Sequence, residues 1–145
     1  MASAETFDAF KGVLDAEWTA TALVFENETG QELVEAGLPF VYVEIYGSSY
    51  DQQSVGSPGS NLWLEQGSTW LHVMVPSGKG SRQARIWAKQ LIDLFREQSI
   101  IAVPATGEQL FMPEMSIGAG EPGRDFPQYF AMTATIQWYR RDYNT

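Results

Sequence analysis

Cysteine is absent from this sequence of 145 residues, and histidine occurs once, as His72. Without cysteine the chain has neither disulfides nor thiolate metal ligands. A Ser-His-Asp triad could use only His72 as its base, and no serine lies in the Gly-x-Ser-x-Gly pattern of a nucleophile elbow. We therefore expect His72 to be a surface or packing residue. The carboxylates are scattered, without the ordered spacing of a calcium loop, so we also expect no metal site.

A targeting segment and a membrane-spanning run are also absent. The first ten residues, MASAETFDAF, contain no basic stretch followed by an apolar one, as a signal peptide would require. No apolar run approaches the ~20 residues that span a bilayer. We therefore expect a protein made in a cytoplasm, with no membrane partner.

Basic residues are scarce in the first part of the chain. Residues 1–66 contain eleven acids and one base, Lys11, whereas residues 67–145 contain seven acids and eight bases. The net charge of −9 makes DNA wrapping a poor hypothesis, because phosphate binding needs clustered Lys and Arg. Two interpretations stay open. The acidity keeps the protein soluble, or an acidic surface meets a basic neighbour or lines a passage for an anionic molecule.

Two segments have the periodicity of amphipathic helices. Over residues 4–18, Phe7, Phe10, Leu14 and Trp18 are spaced three and four apart, and Ser3 or Thr6 could cap the start. Residues 81–97 have the clearest apolar stripe in the chain, with charged residues mostly off it. Both segments are predicted to pack one face on a core.

Alternating apolar residues predict strands over residues 20–26, 40–47, 61–76 and 128–141. The segment between the second helix and the last strand predicts two or three short strands, broken by Pro104, Gly107 and Pro113, and a turn at EPGRDFP. At Gly67 the alternation changes phase, which indicates a β-bulge or a tight hairpin; we favour the bulge. The polar residues 48–60 predict a mobile loop.

This pattern of elements predicts a single domain over residues 1–145. Two main helices cannot cover both sides of a large parallel sheet. The expected fold class is therefore α+β, with a mostly antiparallel mixed sheet and the two helices packed on one face.

The stretch VPSGKGS, residues 75–81, has the strand, Gly-Lys loop and helix order of a phosphate-binding loop. The residue spacing does not fit this motif. Val73 stands at the position of the first glycine, and Gly80 stands at the position of the Ser or Thr that follows the lysine. A dinucleotide fingerprint fails at Gln83. We interpret the stretch as a strand-to-helix turn, with Ser81 as the helix cap.

The C-terminal stretch WYRRDYNT, residues 138–145, is aromatic and basic. Trp, Tyr and Arg are enriched at binding hot spots, but a strand end with solvated arginines would have the same composition. Both interpretations stay open. The candidate residues for a subunit or partner interface are Tyr50, Asp51, Gln52, Gln53, Lys79, Arg82, Arg140 and Arg141.

The order of elements resembles a known family. An N-terminal helix precedes PFVYVEIYG, a Ser/Gly-rich stretch precedes a strand ending in VMVPSGKGS, and ARIWAKQLIDLF follows directly. The last strand reads YFAMTATIQWYRR. From about residue 5 to residue 141 this is similar to the tail-terminator family of long-tailed bacteriophages and phage-like gene transfer particles.

The resemblance implies a small α/β virion protein, assembled in the host cytoplasm. Six copies would form a ring on the head-proximal end of the tail tube, stop its polymerisation and present a surface to the head-completion proteins. It implies no enzymatic activity and no cofactor, and DNA would pass through the ring without being read. An acidic passage would let DNA slide.

Other functions stay open beside this one. Within particle assembly, the chain could be a head-closure or stopper protein, or a tube subunit, although residues 48–60 look too short and polar for the long hairpin of such subunits. A small acidic binding module that mimics nucleic acid is a different class. A small enzyme acting on a polar substrate fits poorly, because catalytic residues are few.

Overall fold

The computed structural model describes residues 3–59, 61–98, 100–103, 108–122 and 126–144. The elements follow in the order α1 (Ala4–Glu17), β1 (Ala22–Phe25), α2 (Gln31–Ala36), β2 (Phe40–Gln52), β3 (Asn61–Pro76), α3 (Arg82–Phe95), β4 (Ile100–Val103), β5 (Glu108–Ile117), β6 (Glu121–Pro122) and β7 (Tyr129–Asn144).

The strands form one mixed sheet in the order β1-β2-β3-β7-β5-β4, and β6 pairs with the start of β7 beyond the end of β5. Only β1 and β2 are parallel, joined through α2, and the other pairs are antiparallel. The predicted α+β class, with a mostly antiparallel mixed sheet, is confirmed.

Helices α1 and α3 pack on the same face of the sheet, as predicted. Phe10 of α1 contacts both Phe95 of α3 and Trp138 of β7, with ring centroids 5.4 and 6.2 Å apart. The apolar stripes of both helices close over alternate residues of β2, β3 and β7 and exclude water from one continuous core. The other face of the sheet carries a smaller cluster, in which the short helix α2 covers Phe40, Met74 and Tyr129 near one end of the strands.

The hairpin of β2 and β3 is longer than predicted. Residues 48–52 belong to β2, and residues 49–52 pair with β3, so the expected loop at 48–60 is wrong in its first part. The backbone N–H of Gln53 still donates to the carbonyl of Leu62, at 2.7 Å. The prediction fails here because Tyr50, Asp51 and Gln52 of β2 are all exposed, and a strand segment with both sides exposed needs no apolar alternation.

The irregularity expected at Gly67 lies on the opposite strand. β3 continues through Gly67 with an unbroken register against β7, which excludes a hairpin there. The register against β2 shifts between Gly47 and Ser49, so the bulge is in β2 at Ser48. The phase change in β3 is therefore real: Leu62 and Leu64 lie on the opposite face from Leu71.

Ser81 stands at the N-cap position of α3, but the predicted cap hydrogen bond is not formed. Its hydroxyl instead accepts from Nε of Arg85, at 3.1 Å. At α1 the capping prediction is confirmed, because Ser3 accepts from the backbone N–H of Thr6. β5 runs through Pro113 with a register shift between Phe111 and Glu114. The predicted breaks at Pro104 and Gly107 and the centre of the EPGRDFP turn lie outside the described residues.

Gly67 lies where the hairpin strands come too close for a side chain. A Cβ built there would lie 2.0 Å from the carbonyl oxygen of Tyr46 and 2.6 Å from the ring of Trp138. We expect Gly67→Ala to lower the free energy of unfolding by about 1–3 kcal/mol through overpacking. Urea denaturation would measure the loss.

The matched control is Gly12→Ala in α1, where an added Cβ meets no atom within 4 Å. This change should stabilise the protein by about 0.5–1 kcal/mol, because alanine loses less backbone entropy in a helix than glycine. Equal effects of the two substitutions would contradict the close approach at Gly67.

Candidate functional site

Among the described residues, α2 and Phe126 cover one end of the sheet face opposite α1 and α3, and no other element packs on that face. We call this surface the open face, and it consists of the outward side chains of β2, β3, β7 and β5. Tyr46 of β2 stacks on Trp70 of β3, with centroids 5.9 Å apart and planes at 10°. Tyr46 is 57% exposed, which is high for a large ring on a sheet face. A stacked, rigid and exposed aromatic pair is typical of a binding surface.

A second aromatic pair lies across the sheet on the same face. Phe111 of β5 stacks on Tyr139 of β7, with centroids 5.1 Å apart. The guanidinium of Arg141 lies over both rings, 5.5 Å from Phe111 and 5.6 Å from Tyr139. Such cation–π contacts hold the charge on an apolar surface while leaving it exposed to a partner.

On the open face, two residues beyond Trp70 along β3, His72 is buried in a polar row across three strands. Its Nε2 lies 2.6 Å from a carboxylate oxygen of Glu44, and its Nδ1 lies 2.7 Å from the hydroxyl of Thr133. The rings of Tyr42 and Trp70 pack against the imidazole. His72 is thus a packing residue, as one of the expectations had it.

The order hydroxyl, imidazole and carboxylate in this row is also that of a nucleophile, a base and an orienting acid. His72 is only 3% exposed and sits in the middle of three paired strands. Its ring nitrogens are already engaged across the sheet, which locks the register of β2, β3 and β7. The geometry fits a structural role better than a catalytic one.

On the helix-covered side, a buried ion pair joins β3 to β7. Glu65 accepts from Nη2 of Arg140 at 3.0 Å, and the two side chains are 1% and 2% exposed. The second carboxylate oxygen accepts from the hydroxyl of Thr6 at 2.7 Å, and from the hydroxyl and backbone N–H of Ser3. The start of α1 is therefore fixed to the sheet by this carboxylate.

Burial acts to raise the pKa of Glu65, but the hydrogen bonds outweigh it. Donors from Thr6, Ser3 and Arg140 hold the pKa of this carboxyl below its ordinary value of 4.5. The ionised form is therefore the one that the fold stabilises.

The structure brings several predicted interface residues together at this end of the sheet. Tyr50 pairs with Glu65, which pairs with Arg140, and the next row is Asp51, Leu64 and Arg141. Asp51, Gln52 and Gln53 are exposed, as is Arg141. Gln52 also donates to the carbonyl of Ser54 at 2.7 Å.

Arg140 differs from the expectation of a surface contact. Its side chain is buried and held by Glu65 and Asp142, because Arg140 points to the helix-covered face while Arg141 points to the open face. Lys79 and Arg82 are exposed but lie at the opposite end of β3, in the turn before α3 and in its first turn. The eight predicted residues therefore do not form one site.

Sequence reasoning missed Glu65, its hydrogen bond from Thr6 and the aromatic pairs of the open face. The signal for Glu65 was its position: in an unbroken β3 it has the same parity as Leu71 and Val73, which predicts a buried carboxylate in need of a basic partner. The aromatic pairs depend on strand order, which the sequence does not specify.

Metal and membrane sites find no support in the described part of the chain. It contains no group of three or more His, Asp or Glu side chains placed to hold a metal ion. None of its helices is long and apolar enough to cross a membrane.

The comparisons with known proteins establish the fold alone. No family model matches the chain, and no curated protein matches it. One solved structure, whose name states no function, has a TM-score of 0.58 and 19% sequence identity, covering 98% of this chain and 96% of that one. The likeness therefore extends over the whole domain, but it carries no activity or partner to this protein.

Glu65 provides a direct test of the buried ion pair. Glu65→Gln keeps the shape but removes the carboxylate 3.0 Å from the buried Arg140 and leaves that of Asp142 at 3.6 Å, so we expect a loss of about 3 kcal/mol in the free energy of unfolding. The control Glu114→Gln, at an exposed position of β5, should have almost no effect.

The effect should also depend on pH. A carboxyl with a lowered folded pKa contributes stability that is complete above 4.5 and is lost as the pH falls through the folded pKa. Urea denaturation of both proteins should therefore give stabilities that converge in acid. A constant difference down to strong acid would contradict an ionised Glu65.

Tyr50 allows the complementary test in alkali. Burial, and then the hydrogen bond to Asp142, raise the pKa of Tyr50 from 10.0 to about 12. The neutral phenol is favoured by folding, so its contribution is complete below pH 10.0 and is lost as the pH rises to about 12. Between pH 10.0 and about 12, the Tyr50→Phe variant should lose less stability than the parent protein, as urea denaturation would measure. An equal loss in both proteins would contradict a raised pKa of Tyr50.

Proposed function

We propose that this protein is a tail terminator of a long-tailed phage or phage-like particle. Six copies form a ring that caps the head-proximal end of the tail tube, stops its growth and receives the head-completion proteins. DNA passes through the ring without sequence-specific binding. The proposal combines the resemblance of residues 5–141 with one structural observation, the open face.

The open face supports an assembly protein because it is an exposed, preorganised contact surface. Tyr46 and Phe111 are 57% and 37% exposed, and each is held rigid by a stacked neighbour. Rigid aromatic rings lose little entropy on binding, and grouped exposed rings mark protein interaction sites. We assign this face to the contact with a protein partner in the tail.

The charge distribution fits passage of DNA better than DNA binding. Only nine Lys and Arg residues accompany eighteen acids in the chain. Among these basic residues, Arg140 is buried inside the subunit in an ion pair with Glu65. A ring of such subunits presents a mostly acidic surface, over which a phosphate backbone slides without being held.

A tube subunit is the second candidate, because of the long hairpin. β2 and β3 together run from Phe40 to Pro76 with only residues 53–60 between them. The sequence-based objection that the hairpin is too short is therefore weakened. A tube subunit polymerises into long tubes by itself, whereas a terminator limits the growth of tubes made by another protein.

Tube assembly separates these functions. We expect the purified protein to form no tubes alone and to shorten the tubes grown from the tail tube protein of the same particle. Electron microscopy would measure the tube lengths. Long tubes from this protein alone would favour the tube subunit, and unchanged tube lengths at excess protein would reject the terminator.

The same assay tests the open face. Tyr46→Ser together with Trp70→Ser should abolish the effect on tube length, since it removes the exposed stacked pair. Val55→Ser is the matched control, because Val55 is fully exposed in the connection between β2 and β3 and lies off the face. Circular dichroism would confirm that both variants remain folded; equal tube lengths with both variants would remove the open face from the contact.

A further inference from the structure

Most basic side chains of the subunit are engaged within it. Four of them form ion pairs with carboxylates: Lys11, Lys89, Arg96 and Arg140. A fifth, Arg141, lies over the rings of Phe111 and Tyr139. The other basic residues in the described ranges are Lys79, Arg82 and Arg85, and none of these three forms an ion pair there. Their charge is not used by the fold.

These three residues lie together, and we call them the basic cluster. They fall within residues 79–85, in the turn between β3 and α3 and at the start of α3, and all three are exposed. Arg82 and Arg85 are three positions apart and therefore lie on one side of the helix. No acidic residue occurs between Gln66 and Ile92. The cluster is thus a concentrated positive surface on a chain whose net charge is −9.

The start of α3 gains no stability from the basic cluster. The N-terminus of a helix carries a partial positive charge, so cations beside it are unfavourable. Ser81 forms no side-chain cap hydrogen bond, and the first turn of α3 contains no acid that would offset the charge. The hydroxyl of Ser81 instead accepts from Nε of Arg85, at 3.1 Å, which keeps that guanidinium near the turn. A contact outside the subunit explains the cluster better than the stability of the helix does.

The acidic side chains can be sorted in the same way. Several carboxylates accept hydrogen bonds or form ion pairs within the subunit: Asp15, Glu26, Glu28, Glu35, Glu44, Glu65, Asp93 and Asp142. The acidic side chains without such a contact in the described ranges, apart from two on α1, lie at least seven positions from one another: Glu17, Glu32, Asp51, Glu97, Glu114 and Glu121. These single acids form no group along the chain.

The two exceptions on α1 are Glu5 and Asp8, which we call the acidic pair. Both are exposed, and they are three positions apart on one helix. The buried residues of α1 are Thr6, Phe10 and Leu14, so the acidic pair lies on the side of α1 that is turned away from the core. It is therefore accessible to another chain.

The basic cluster and the acidic pair match in spacing as well as in charge. Residues three apart on a helix have Cβ atoms about 5–6 Å from each other, and this holds for Arg82 and Arg85 as it does for Glu5 and Asp8. Two helices lying side by side can therefore place each guanidinium against one carboxylate. Inside the subunit the described residues form no ion pair between α1 and α3. The match can be used only between copies.

Nucleic acid fits the basic cluster less well. Three cations can neutralise about three phosphates, whereas proteins that bind DNA make on the order of 6–10 phosphate contacts. The net charge of −9 on the whole subunit also repels a phosphate backbone. Two carboxylates at helical spacing, in contrast, need only two or three cations.

We propose that the basic cluster of one copy of this chain docks on the acidic pair of a second copy. The start of α3 lies beside α1 of the neighbour, with Arg82 and Arg85 facing Glu5 and Asp8. The two surfaces differ, so the contact is head-to-tail, which is the type of contact that closes into rings. This inference rests on the proposed ring and names the charged contact that joins its subunits.

Charge reversal on each surface tests the contact. Arg82→Glu with Arg85→Glu reverses the basic cluster, and Glu5→Lys with Asp8→Lys reverses the acidic pair. Each double variant alone should reduce the population of rings about tenfold or more, because like charges then face each other. Native mass spectrometry would measure the rings, and circular dichroism would confirm the fold.

The matched control is Glu32→Lys with Glu35→Lys. It makes the same charge change at two exposed residues with the same spacing on α2. This control should leave the rings intact. An equal loss of rings in the control would show an effect of net charge alone and would overturn the inference.

Mixing the two double variants gives the sharpest result. Each reversed cluster then meets a reversed pair, and each natural cluster meets a natural pair, so equal amounts should restore rings with alternating subunits. A variant that simply failed to fold would not be restored. Rings that persist in either double variant, or a mixture that forms none while the parent protein does, would overturn the inference and leave the proposed ring standing.

Two further outcomes separate the inference from its alternatives. If Arg82→Glu with Arg85→Glu abolishes binding of duplex DNA but leaves the rings unchanged, the occupant is nucleic acid and the inference is wrong. If the parent protein forms no ring, alone or on tubes, the proposed function itself is rejected, and this contact with it.

Discussion

The buried, ionised carboxylate of Glu65 needs a counter-charge and hydrogen-bond donors inside the protein. The position of the helices on one face of the sheet depends on the residues that supply them. A buried charge persists only with a counter-charge and a full set of hydrogen bonds. Arg140 supplies the charge from β7, and Ser3 and Thr6 supply donors from the start of α1. The carboxylate thus fixes α1 on one face of the sheet. With α3 beside it, this helix layer leaves the opposite face open.

The open face and the edges then divide the surface of the subunit. The open face presents the two stacked aromatic pairs, whereas β1 and β4 form the two edges of the sheet. In the proposed ring, contacts through the helices would connect copies of the chain and leave the open face for a different protein. The uneven charge of the sequence becomes a spatial difference, because β1 and β2 lie on one side of the sheet and β7 and β5 on the other.

The helices, most strands and the α+β class could be predicted because each depends on local periodicity. The bulge could be recognised only as an irregularity, since Gly67 marks the close approach while Ser48 on the other strand is the extra residue. The polar end of the β2–β3 hairpin reads as a loop in the sequence because its residues show no apolar alternation, although they pair with β3. Adjacent Arg140 and Arg141 looked equivalent in sequence, yet their alternation in β7 buries one and exposes the other.

The account depends most on the existence of a closed ring at one end of the tail tube. Cryo-electron microscopy of tubes assembled with this protein would test it most directly. We predict one ring of six copies at a single end of each tube. Single copies scattered along the tube, or tubes with bare ends at saturating protein, would contradict it.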